Sequence, residues 1–112
     1  MSHQKIVEKF RKLLGVHPGS AQRKLSKSIE FSLVIETGRD TCYRCGKKIT
    51  KDQDFSVEHM EDWMTSDNPI DRFYNLNNIA FSHRKCNTRC AKDSKGKDKV
   101  IPLLIYKNTS QL

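Results

Sequence analysis

The sequence predicts a small α+β protein, and three observations carry that expectation. Apolar residues recur at helical spacing through the first 38 positions. Two short alternating segments follow, Phe55-Ser56-Val57-Glu58-His59 and Asn78-Ile79-Ala80-Phe81-Ser82, the second running straight into a helical stretch. A Cys-x2-Cys pair at Cys42 and Cys45 has a distant His-x2-Cys counterpart at His83 and Cys86. The expected layout is one domain over residues 1–112, with a helical extension at 1–38, a zinc-stabilised core at 39–93 and a basic, apolar tail at 94–112.

Taken in order, Ile6, Val7, Phe10, Leu13 and Leu14 define an amphipathic helix with Lys5, Lys9, Arg11 and Lys12 between them, and Gly15 supplies its stop. A second helix is expected from an N-cap at Ser20, with Ala21, Leu25, Ile29 and Leu33 on its inward stripe and an end near Thr37-Gly38. Arg23, Lys24 and Lys27 fall on its other face, which reads either as a contact for a DNA backbone or as a solvated basic surface.

Cys42-x2-Cys45-Gly46 has the spacing of a zinc knuckle, a tight turn aiming two thiolates at one ion, with Gly46 taking the unusual backbone angle. A redox pair would instead open a helix after a strand, and Gly46-Lys47-Lys48 does not. In the strand at Phe55, the residues Phe55, Val57 and His59 alternate with polar neighbours and are expected to face inward. Because adjacent strand residues point to opposite faces, Glu58 and His59 converge on one ligand only if the strand breaks at that pair. Residues 61–77 read as a long ordered loop, with Asp67-Asn68-Pro69 as a turn and Trp63, Phe73, Tyr74 and Leu76 to pin it. A helix is expected from Arg84 to about Asp93, then a flexible basic linker from Lys95 to Lys99 and an apolar run, Val100 to Tyr106, that docks on the domain or on another copy.

Composition bounds the function. A chain of 112 residues with 36% apolar and 30% charged residues, at a mean hydropathy of −0.72, has a thin core that a bound metal would support. No apolar run approaches a membrane span and residues 1–11 lack a signal-peptide core, so an intracellular, cytoplasmic setting is expected. In a reducing compartment the four cysteines read as zinc ligands before disulfides. The net charge of +8 is uneven: residues 1–51 carry +8, residues 52–71 carry −7 and residues 72–112 carry +7. Basic flanks attract a phosphate backbone, while an acidic centre can hold divalent cations.

The chemistry concentrates in residues 55–90. A carboxylate beside a histidine, Glu58-His59, pairs a hard oxygen ligand with a base that titrates near neutral pH, and Asn87 offers a second oxygen from another element. Cys42-Tyr43-Arg44-Cys45-Gly46-Lys47-Lys48-Ile49, then Phe55 to His59, then Asn78 to Asn87, resembles the HNH (ββα-metal) endonucleases, in particular the small phage and prophage members. The likeness covers about half the chain, residues 39–89. The family usually has Asp-His where Glu58-His59 stands, and often Cys where His83 stands.

The resemblance implies a small ββα-metal core and a hydrolase acting on DNA phosphodiester bonds. His59 would be the general base, Glu58 and Asn87 would hold a catalytic Mg²⁺ or Mn²⁺, and Asn78 would steady the His59 loop. A structural Zn²⁺ would sit on Cys42, Cys45, His83 and Cys86. One helical turn separates His83 from Cys86, whereas Asn87 faces elsewhere, so the two metals are expected on different sides. A second set, Cys42, Cys45, Cys86 and Cys90, would free His83 for the active site; the first is favoured because its pair straddles the helix start while Cys90 lies a turn deeper. Arg84, Lys85, Arg89 and Lys92 remain for phosphates. DNA is the expected partner, with a second copy of the chain or phage or host proteins as further ones. The competing reading is a non-catalytic, zinc-stabilised nucleic-acid-binding module, which has no need of Glu58, His59, Asn78 and Asn87 together. A zinc deaminase would need His-x-Glu and Pro-Cys-x2-Cys, and neither is present.

Overall fold

The computed structural model describes residues 2–88 and 94–103. Among them the chain forms four helices and one two-stranded antiparallel sheet, with short 3-10 turns between. None of these helices is long and apolar enough to cross a membrane.

Helix α1 (His3–Leu14) starts at Ser2, whose side chain accepts from the Lys5 N–H, and ends at Gly15, whose N–H reaches the Arg11 carbonyl at 2.8 Å. Helix α2 (Pro18–Glu36) starts two residues before the expected cap at Ser20. His17 caps it instead, its Nδ1 accepting from the Gly19 N–H at 2.9 Å, and Pro18 sits at the first helical position with its φ already helical.

The inward face of α2 is also not the expected one. Leu25, Ile29 and Leu33 are 54, 51 and 54% exposed, while Phe31 and Val34, nearly opposite on the helix, are 6 and 5% exposed. The helix is apolar on both sides, and the aromatic face wins: Phe31 meets the Phe55 ring at 5.3 Å, and Phe55 meets Phe81 at 5.4 Å. The Ser28 hydroxyl then donates to Asp52 at 2.7 Å, tying α2 to the turn before the sheet.

Strand β1 (Phe55–His59) pairs with β2 (Ile79–His83) in the register Phe55↔His83, Val57↔Phe81 and His59↔Ile79. The inward pattern again departs from expectation, because Glu58 is buried and Val57 is 44% exposed. A carboxylate tolerates burial only when its charge is met, and Arg44 meets it here. Helix α4 (Arg84–Thr88) follows β2 directly; residues 89–93 of the longer expected helix lie outside the described residues, as do Arg89, Cys90 and Lys92.

The long loop carries structure of its own. Helix α3 (Pro69–Tyr74) is capped by the Asn68 side chain, and a 3-10 turn, Leu76–Asn78, leads into β2. Residues 94–103, the described part of the tail, are docked rather than free: Lys95 and Gly96 donate to the Arg44 and Tyr43 carbonyls at 3.1 and 3.0 Å, and the buried Arg39 grips the Ile101 and Pro102 carbonyls at 3.2 and 3.0 Å. The basic linker expected there is therefore a strap over the knuckle; Leu104 to Tyr106, the rest of the apolar run, lie outside the described residues.

Candidate metal centre and the adjoining strand end

The knuckle is built by its turn. Gly46 takes φ 77°, which returns the chain so that its N–H reaches the Cys42 carbonyl at 2.9 Å, and Thr41 bridges Lys48. The Tyr43 N–H donates to the Phe81 carbonyl at 2.9 Å, fastening the knuckle to β2 beside His83. The ligand atoms of Cys42, Cys45, His83 and Cys86 consequently all lie within 4.8 Å of one another. Thiolates about 2.3 Å from a tetrahedral zinc stand roughly 3.8 Å apart, so this spread suits one ion.

The tautomer suits it too. His83 Nε2 lies 3.3 Å from the Lys48 carbonyl, which accepts a hydrogen bond from that nitrogen, and Nδ1 lies 3.4 Å from the Cys45 sulfur and 3.9 Å from the Cys86 sulfur. Burial alone would raise the Cys42 thiol, but N–H groups of Cys45, His83 and Arg44 turned toward the sulfur hold it down at about 6. Burial, and then the neighbouring Cys42, push the Cys86 thiol up to about 11. One sulfur is thus favoured as a thiolate, and a bound cation would draw the proton from the next. Among the described residues no other group of three or more His, Cys, Asp or Glu side chains converges in this way.

Glu58 and His59 lie beyond this tetrad at the far end of β1. The strand does not break at the pair: His59 is its last residue and still pairs with Ile79, so the two side chains leave opposite faces. On the Glu58 face, one carboxylate oxygen takes Arg44 Nε and Nη2, both at 2.8 Å, and the other accepts from the Ser82 hydroxyl. Asn87 reaches the same face, donating from its amide to the Ser56 hydroxyl at 3.3 Å, and Ser56 donates to the Ser82 carbonyl at 3.2 Å. A single polar network therefore joins Arg44, Glu58, Ser82, Ser56 and Asn87.

On the other face, His59 Nε2 lies 2.9 Å from the Phe73 carbonyl, and its ring stacks at 4.8 Å on the Phe73 ring, which meets Trp63 edge-on at 4.9 Å. The carbonyl requires a proton on Nε2, which leaves Nδ1 as the acceptor. Asn78, 5% exposed, clasps the following turn: its Oδ1 accepts from the Glu61 N–H at 2.8 Å, its Nδ2 donates to the Glu61 carbonyl at 3.0 Å, and its own carbonyl accepts from the Met60 N–H at 2.8 Å. Glu61 is held further by an ion pair with Arg72 of α3. Arg84 and Lys85 are exposed on α4, at the opposite end of the sheet from His59.

Sequence reasoning missed Arg44, Ser82 and the Phe73 carbonyl. Arg44 carried one weak signal, its place between the two knuckle cysteines. The other two depend on strand register and loop path, which leave no pattern in residue order. Compared with family models, with curated proteins and with solved structures, the chain matches none.

Proposed function

We propose that this chain is a divalent-metal-dependent DNA endonuclease of the HNH type, stabilised by a structural zinc and cutting one strand per site. The observation that carries the reading is His59, whose Nε2 is committed to the Phe73 carbonyl at 2.9 Å so that Nδ1 is free to accept a proton. A base needs a defined tautomer and a fixed position, and the Asn78 clasp on the next two residues supplies the second. His59 Nδ1 would draw the proton from an attacking water, and Asn78 acts through the loop as a positioning residue. Glu58 and Asn87 present a carboxylate and an amide to one face of the sheet, a donor set suited to a hard cation. The Arg44 guanidinium now supplies the positive charge on Glu58 and would have to yield. Mg²⁺ or Mn²⁺ held there would contribute electrostatic stabilisation of the developing phosphate charge.

A second reading, a zinc-stabilised nucleic-acid-binding module without chemistry, draws on one specific observation. Both Glu58 oxygens are already engaged, and Glu58 and His59 face apart. Supercoiled plasmid separates the two. Zinc-loaded protein should convert it to nicked circles with Mg²⁺ or Mn²⁺ and not in buffer to which neither is added. His59→Ala should lower nicking by at least ~10²-fold, the scale of a lost general base, with folding and DNA binding retained. Intact plasmid under every metal condition would transfer the case to the second reading, and full nicking by His59→Ala would remove His59 as the base.

A further inference from the structure

The cations that the sequence distributes between two separate helices line a single trough. Its walls are Ser20, Arg23, Lys24 and Lys27 of α2, Asp52 and Gln53 of the turn before β1, and Arg84 of α4, around about 730 Å³. Gln53 and Arg84 also line the adjoining cleft with Lys85, Thr88 and the acidic Asp54, so Arg84 borders both hollows and Lys85 the second. The fold makes this juxtaposition: Phe55 pairs with His83, which brings the start of α4 beside residues 52–54, and the Ser28–Asp52 hydrogen bond brings α2 to the same turn.

Three features distinguish the trough from an ordinary solvated face. Arg23, Lys24, Lys27 and Arg84 make no ion pair among the described residues. The one acid in the lining, Asp52, is engaged by the Ser28 hydroxyl. Arg23 and Lys27, four residues apart, repel along the helix, so the arrangement works against the isolated chain and is relieved by a polyanion. The lining also contains no aromatic ring. Single-stranded nucleic acid is gripped by stacking its bases on aromatic side chains, whereas a duplex presents only its phosphates to such a surface.

We infer that the α2–α4 trough is a binding track for the phosphate backbone of a duplex, separate from the His59 end of the sheet. His59 stands four residues beyond Phe55, about 13 Å along an extended strand, or roughly four base-pair steps of 3.4 Å. The helical extension thereby acts as a clamp on the substrate at a distance from the proposed cut. This inference extends the endonuclease reading to its substrate, but the track stands or falls on binding alone.

Fluorescence anisotropy of zinc-loaded full chain on a labelled duplex of about 20 base pairs, without added Mg²⁺ or Mn²⁺, measures it. The triple variant Arg23→Gln, Lys24→Gln, Lys27→Gln should bind roughly tenfold or more weakly and reduce the slope of log K against log salt by about 2 to 3, since each phosphate contact contributes about 0.9. Arg84→Gln should reduce the slope by about 1. The control triple Lys5→Gln, Lys9→Gln, Lys12→Gln on α1 should change both much less. Zinc content and a thermal melt establish that each variant is folded. Wild-type affinity and slope in both trough variants, or an equal loss in the α1 control, overturns the inference. Equal affinity for a single strand of the same length, or equal displacement by polyglutamate, overturns its assignment to a duplex. A protein that binds through the trough yet never nicks plasmid keeps the track and loses the nuclease reading; one that nicks plasmid while both trough variants bind with wild-type affinity and slope does the reverse.

Discussion

At the residue scale, a single substitution separates the two zinc sets. His83 Nδ1 points among the cysteine sulfurs with its Nε2 secured by Lys48, so His83→Ala should remove zinc and most of the cooperative melt. Cys90→Ser should retain one zinc and the melt; elemental analysis on both proteins decides, and the opposite pattern would assign the fourth ligand to Cys90. The Arg44–Glu58 pair allows an equally sharp test, because the Glu58 side chain is 2% exposed and that of Arg44 19%. Arg44→Met strands a buried carboxylate and should cost about 3–5 kcal/mol in urea unfolding, while the double variant Arg44→Met, Glu58→Leu should recover much of that. A loss below about 1 kcal/mol in the single variant would mean that water replaces Arg44 freely.

At the scale of elements, close backbone approach fastens the strap to the knuckle. Gly96 is the clearest instance: a Cβ added there would stand 2.0 Å from the Cys42 carbonyl oxygen and 2.9 Å from its carbon. Its φ of −89° is open to any residue, so the requirement for glycine is the proximity of the knuckle backbone alone. Gly96→Ala should lift the strap at Lys95 and Gly96, costing about 1–3 kcal/mol. Faster hydrogen exchange at the two amides bonded to Arg44 and Tyr43 would accompany it. An unchanged melt with protected amides would show that the strap moves aside without cost. The loop after β1 follows the same rule, its path set by the backbone groups that Asn78 clasps.

For the whole molecule, the deciding comparison is between its core and a zinc ion held by the tetrad. The buried apolar residues Phe31, Val34, Ile49 and Phe55 contribute roughly 1.5–3 kcal/mol each, about 6–12 together, opposite a chain entropy of far larger scale. Zinc in a small finger contributes about 10–16 kcal/mol, as much as that entire set. Stripping zinc with a chelator should therefore abolish the cooperative thermal transition, and adding Zn²⁺ back should restore it. Circular dichroism follows both steps, and a chelated protein that melts at the original temperature would show that packing suffices.

What residue order determined by itself was everything that short-range chemistry can encode. Gly15 ended α1, Cys-x2-Cys-Gly made the knuckle, alternation marked both strands, and the His-x2-Cys spacing at His83 and Cys86 matched the tetrad that assembles. Tertiary structure decided which faces those elements bury. Leu25, Ile29 and Leu33 made as good a stripe as Phe31 and Val34, and only the rings of Phe55 and Phe81 broke the tie. The burial of Glu58 depended on Arg44 from another element, and the tautomer of His59 on a carbonyl 14 residues away. The trough required α2 and α4 to meet at one turn. A pattern within one segment reports its own amphipathicity; the partner that neutralises a charge or covers a face is set by register and docking, which no single segment contains.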